Sequence, residues 1–149
     1  MAIVVHPYGL FMESLIEGRI DVRSDPMMAM LVTASYTFNQ NTHKFKSSVA
    51  GELTGASGYV AGGKQITGLT PTYDSPTKLL TLPAGNLGWA NITFTGVVGA
   101  VVYMAPAGFG DAVKPLIAYI DFGAAQTRSD QAFYINWPAS GIVKLGPVA

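Results

Sequence analysis

The chain has 149 residues, with nine Lys+Arg, nine Asp+Glu, two His, no Cys and a formal net charge of zero. That balance argues against a nucleic-acid footprint or an anionic membrane partner, and the absence of cysteine excludes disulfide and thiol chemistry. No apolar run is long enough to span a bilayer, although 49% of the residues are hydrophobic and only 12% are charged.

Taken in chain order, Met1-Ala2-Ile3-Val4-Val5-His6-Pro7 lacks a basic region and is cut short by Pro7, so no signal peptide is expected. Leu10, Phe11, Ser14, Leu15 and Gly18 fall along one helical stripe, with Gly18 placed as its stop. Glu13, Glu17, Asp21 and Asp25 form an acidic group interleaved with Arg19 and Arg23. Without calcium-loop spacing it reads as a solvated, partly paired face. Met28–Ala34 reads as a strand. Thr42 is expected to cap a short helical turn carrying Phe45 and Val49 and closed by Gly51. Gly62-Gly63-Lys64 has the superficial look of a phosphate loop, but Gln65 stands where Ser or Thr is required, so the glycines read as turn residues.

Thr70–Asp74 and Lys78–Leu82 flank Asp74-Ser75-Pro76-Thr77, a hairpin turn by composition. In Leu87–Thr95 the apolar phase slips: Leu87 and Trp89 are odd-numbered, Ile92 and Phe94 even. A bulge near Ala90-Asn91 is therefore expected. The triplet Asn91-Ile92-Thr93 matches the glycosylation pattern, which has no meaning in an unsecreted chain. Gly96–Met104 and Leu116–Phe122 are near-continuous strand formers. Phe133, Ile135 and Trp137 alternate with polar positions. Trp89, Phe94, Ile120, Phe122, Phe133, Ile135 and Trp137 are the predicted core cluster.

At 15.7 kDa, one β-rich domain over 1–149 is expected, with roughly 7,000 Å² of accessible surface as a monomer. The fold class is mainly β: a two-sheet sandwich or jelly-roll-like arrangement of about eight strands and one or two short helices, with a single curled barrel as the alternative. No catalytic, cofactor-binding or metal-ligating set is legible. His6 and His43 stand apart from carboxylates at ligand spacing and read as solvated surface. The aromatics, seven Tyr and seven Phe, read mostly as core, with a glycan-binding shelf as the alternative.

A chain so poor in charge is most simply explained if much of its outside is covered by neighbours. A homo-oligomer is expected, with a trimer favoured. Its contacts are expected at apolar residues that the strand core does not obviously need: Tyr8, Phe11 and Met12 near the N-terminus, Met27 and Met28 at the Asp25–Met28 corner, and Phe109 and Val113 in the Ala105–Val113 loop. Packing of Phe11 and Leu15 onto the chain's own sheet is an equal alternative. The apolar segment Ile3–Met12 is expected to be able to add a strand or a wedge to a neighbour.

The order of motifs also resembles a family of small structural virion proteins of tailed bacteriophages. The resemblance runs through Tyr8-Gly9-Leu10-Phe11, Ile20-Asp21, Leu31-Val32-Thr33-x2-Tyr36-Thr37, His43 and Gly55-x2-Gly58-Tyr59-x2-Gly62-Gly63. It continues through Thr72-Tyr73-Asp74, Leu87-Gly88-Trp89, Pro115-Leu116-Ile117, Ile120-Asp121-Phe122-Gly123, Ile135-x-Trp137 and Gly141-Ile142. Tyr103–Val113 is longer than the family pattern and is expected to be a variable exposed loop. The resemblance implies a non-enzymatic virion component, assembled in the host cytoplasm. The favoured role is a capsid decoration (cement) protein that binds the major capsid protein. The alternatives are a tail tube, baseplate or fibre component, or a glycan- or receptor-binding module on the particle.

Overall fold

The computed structural model describes residues 2–146. Eight strands and one helix follow in the order β1 (Val4–Pro7), α1 (Phe11–Ile16), β2 (Met27–Thr33), β3 (Lys64–Ile66), β4 (Thr72–Asp74), β5 (Leu79–Thr81), β6 (Leu87–Met104), β7 (Leu116–Ile135) and β8 (Lys144–Leu145). They build two antiparallel sheets, one of five strands in the order β1-β7-β6-β2-β3 and one of three in the order β4-β5-β8. The architecture is the two-sheet β sandwich expected from the sequence. Two separate open sheets replace the closed-barrel alternative.

The hairpin of β6 and β7 is the spine of the larger sheet. Four segments that read as separate strands in the sequence fuse into these two, of 18 and 20 residues. The register between them shifts between Trp89 and Ile92, where the apolar phase slips, and at four further places. Each shift lets inward residues return to the core side after the twist has carried them off it. Phe94, Phe122 and Trp89 all meet Phe133, at ring-centroid distances of 5.2, 5.6 and 6.1 Å. Six of the seven predicted core residues are buried. Trp137 is the exception: it lies past the end of β7, half-buried, with its indole N–H donating to the Gly85 carbonyl at 2.9 Å.

β2 lies between β6 and β3, and both of its faces are covered: Met27 and Ala29 through Val32 are all buried. Close packing on its β3 side depends on Gly63, where a Cβ would stand 1.9 Å from the Ala29 carbonyl oxygen. The turn reading of Gly62-Gly63 holds. A partly buried polar link ties the same loop down. Glu52 accepts hydrogen bonds from the Tyr59 hydroxyl (2.8 Å) and the Gly62 N–H (2.5 Å), and the Tyr59 oxygen accepts the Leu31 N–H at 3.0 Å.

Two local readings change. β1 is strand, paired along its length with Ala118–Asp121 of β7, so the N-terminal segment adds a strand to its own sheet. The helical turn after Thr42 is a single 3-10 turn at Lys46–Ser48. Thr42 does not cap it; its N–H, with that of Asn41, bonds the Asn39 side chain. A short polar side chain bonding backbone two and three residues on makes a turn of its own and stops a helix starting earlier. α1 forms as expected and ends at Gly18, whose N–H bonds the Leu15 carbonyl. Phe11 and Ser14 are buried beneath it.

The accessible surface, 7742 Å², is close to that expected for a monomer of this mass.

Candidate interaction surface

The seven residues expected at an interface divide into three groups. Tyr8, Phe11 and Met27 are buried in the chain's own core, which corrects the expectation that the strand core does not need them. Tyr8 follows β1 directly, and its N–H bonds Ile117 of β7. Its hydroxyl meets that of Tyr36 at 2.7 Å, and burial followed by that hydrogen bond pushes its pKa far above the tyrosine range. Phe11 carries the inner face of α1, as the alternative reading had it. Met27 opens β2, paired to both Met104 and Ile66. Met28 is half-buried in the same strand. Met12, Phe109 and Val113 remain exposed, Phe109 to 56%.

The Asp25–Met28 corner and the Ala105–Val113 loop come together. The Ala105 N–H donates to the Pro26 carbonyl at 2.8 Å. Beside this junction, Gly18, Arg19, Asp25, Pro106, Phe109 and Val113 line a groove of about 200 Å³. The loop is tied to the Lys46–Ser48 turn by Asp111, whose carboxylate accepts from Lys46 at 3.1 Å and Lys114 at 3.2 Å. Lys46 and then Lys114 keep the Asp111 carboxyl below its ordinary range. Apolar Pro106, Phe109 and Val113 beside charged Arg19 and Asp25 make the mixture of apolar centre and charged rim that protein interfaces favour.

Next to the groove the acidic group at α1 is paired in part as its sequence implied: Arg19 takes part, Arg23 meets Asp21 only through its backbone N–H at 3.0 Å, and the main partner is Lys44. Lys44 bridges Glu13 (2.5 Å) and Glu17 (2.6 Å), while Arg19 bonds Glu17 at 2.8 Å. Lys44 first and Arg19 second lower the Glu17 carboxyl to about 2. The Arg19 guanidinium and Lys44 ammonium each sit 5.5 Å from the centre of the Phe45 ring. These exposed pairs orient side chains and add little stability.

On its other flank α1 borders an apolar cavity of about 100 Å³ at the seam between the two sheets, lined among others by Leu15, Ile20, Val22, Leu80 and Leu145. Met12 and Ile16 lie one turn apart on this helix, and Ile16, at 88%, is the most exposed large apolar side chain among the described residues. Ile16 was missed by the sequence reading, although it stands off the Leu10-Phe11-Ser14-Leu15-Gly18 stripe.

The remaining candidates are structural. His6 packs between Phe38 and Tyr119, at 5.7 and 6.3 Å, and His43 Nδ1 is 2.9 Å from the Tyr36 hydroxyl. Both are half-buried, which corrects their reading as solvated. Burial lowers the pKa of His43. In the Nε2–H tautomer the chain of donors runs from Tyr8 to Tyr36 to His43. The exposed aromatics Tyr73, Phe109 and Tyr134 sit on β4, the 105–113 loop and β7. The Tyr134 ring lies across Gly88 of β6, where a Cβ would come within 2.2 Å of it. Among the described residues no three His, Asp or Glu side chains converge as a metal site would require, and no helix is long and apolar enough to cross a membrane.

Fold and surface define a β-sandwich with a braced, partly apolar surface around α1 and the 105–113 loop. Comparison with protein-family models, curated proteins and solved structures finds no match to this chain.

Proposed function

We propose that the chain is a structural protein of a tailed-bacteriophage particle: a capsid decoration protein that binds the outside of the assembled head as a homo-oligomer, with a trimer favoured and the major capsid protein as partner. The observation that carries the reading is the groove formed by Arg19, Asp25, Pro106, Phe109 and Val113. It combines exposed apolar side chains with a loop braced by Asp111, and a braced surface loses little conformational entropy when it is covered. The order of sequence motifs supports the family, and low charge at neutral net balance suits a subunit meant to associate. The proposal assigns the chain no catalytic role.

Decoration works by multivalency: several weak contacts to adjacent capsomers, made by one oligomer, give tight binding when the sites are held at the right spacing. The test is co-sedimentation of the purified chain with expanded heads and with isolated tails. The reading expects saturable binding to heads at a fixed copy number, strongly weakened by Phe109→Asp. Binding to tails alone, or to neither, would overturn it.

A further inference from the structure

We propose that the flank of α1 is a self-complementary two-fold contact, in which Ile16 of one copy fills the apolar cavity of a second copy and the reverse. The inference goes beyond the decoration role and does not rest on it. The cavity has no chemical attraction for water or polar ligands, because its lining is entirely aliphatic and aromatic apart from Thr81; such cavities stay dry and take apolar guests. Its size selects the guest. A cavity of about 150 Å³ accepts the six carbons of benzene, so one of about 100 Å³ accepts about four. An isoleucine side chain has four carbons.

The knob and the hole belong to the same patch, as a two-fold contact requires, since residue i must meet j while j meets i. Ile16 follows cavity-lining Leu15 directly and precedes cavity-lining Ile20 and Val22. Around the opening, Leu80 is 38% exposed and pairs across the hairpin with Tyr73, which is exposed as well. Met12 lies one turn before Ile16 on the same helix. The carboxylates of α1, Glu13 and Glu17, are engaged by Lys44 and Arg19. Two copies can therefore approach along α1 without bringing unpaired like charges together.

The test is the mass of the full chain in solution by sedimentation equilibrium over a range of concentrations, for the parent, Ile16→Asp and Ile16→Ala. Assembly of the parent into an even number of copies is expected, a pair of trimers where the trimer forms, with Ile16→Asp halving that number at unchanged far-ultraviolet circular dichroism. Ile16→Ala removes six buried carbons per two-fold contact and should weaken it on the order of a thousandfold. A sample mixed from differently labelled copies should show Ile16 methyl groups close to Leu80 and Val22 of the other copy. Xenon should enter the cavity of Ile16→Asp and be excluded from the assembled parent. A parent that is monomeric at every concentration, or whose mass is unchanged by Ile16→Asp, overturns the proposal. So does an assembly in which Leu80 and Val22 meet another side chain or a shell protein.

Discussion

Replacing Phe133 by Ala should remove the centre of the aromatic cluster that joins β6 to β7. The side chain is 1% exposed. It meets the rings of Phe94, Phe122 and Trp89, and the Arg128 guanidinium lies 5.1 Å from its centre. Truncation of a buried Phe to Ala costs about 3–5 kcal/mol through lost transfer energy and the cavity left behind. Three aromatic partners, each worth about 0.5–1.5 kcal/mol beyond area, place this site at the upper end, about 4–5 kcal/mol. Against a total of roughly 7–20 kcal/mol for a domain of this length, the variant should still fold. Chemical denaturation at one fixed protein concentration, needed because self-association adds to apparent stability, gives the difference directly. Phe133→Leu keeps most of the volume and should cost less, about 1–2 kcal/mol, and Phe109→Ala on the surface should cost almost nothing. A loss below about 1.5 kcal/mol for Phe133→Ala, or one equal to that of Phe109→Ala, would refute the packing argument.

Trp137→Ala should cost about 2 kcal/mol, less than a fully buried tryptophan, since only half-burial and the bond to Gly85 are lost. In Trp137→Phe the remaining Trp89 should emit at short wavelength; water-like emission would contradict its burial. Ser14 Oγ is buried without a hydrogen-bond partner, so Ser14→Ala should raise stability by about 1 kcal/mol, seen as a melting temperature a few degrees higher. Because burial lowers the folded-state pKa of His43, the unfolded chain takes up more protons below about pH 6.5. Stability should be full above that pH and fall as the pH drops through the folded pKa, a slope that His43→Gln removes in melts at pH 5 to 7. The Glu17 pairing should be lost only at lower pH, between about 4.5 and 2. Deleting residues 1–12 removes β1, Tyr8 and Phe11, and should unfold or grossly destabilise the chain by circular dichroism.

Strand positions governed by alternation were legible, as Phe133 and Ile135 show, and so was the bulge where Leu87 and Trp89 give way to Ile92 and Phe94. The continuity of β7 was not. Between Gly123 and Ala132 its residues are mostly exposed and show no apolar period. That stretch is strand because β6 offers a partner, a long-range cause that local pattern does not carry. β1 was hidden for a similar reason: Val4–Pro7 is four residues ending in proline, which an edge strand tolerates. Interface residues were the hardest to read, because an apolar residue outside a clear period has the same look whether it enters the core or stays outside. Tyr8 and Met27 went inward; Phe109 and Val113 did not. The meeting of the 25–28 corner with the 105–113 loop depends on the Pro26–Ala105 backbone bond, and no sequence spacing announces it.

The most direct test of the virion role is a map of the intact particle that carries this chain. The account predicts a β-sandwich on the outer face of the head, at local symmetry axes and at fixed copy number, with Phe109 and Val113 covered by protein. Density for the chain within the tail, or on the head without Phe109 and Val113 covered, would contradict it.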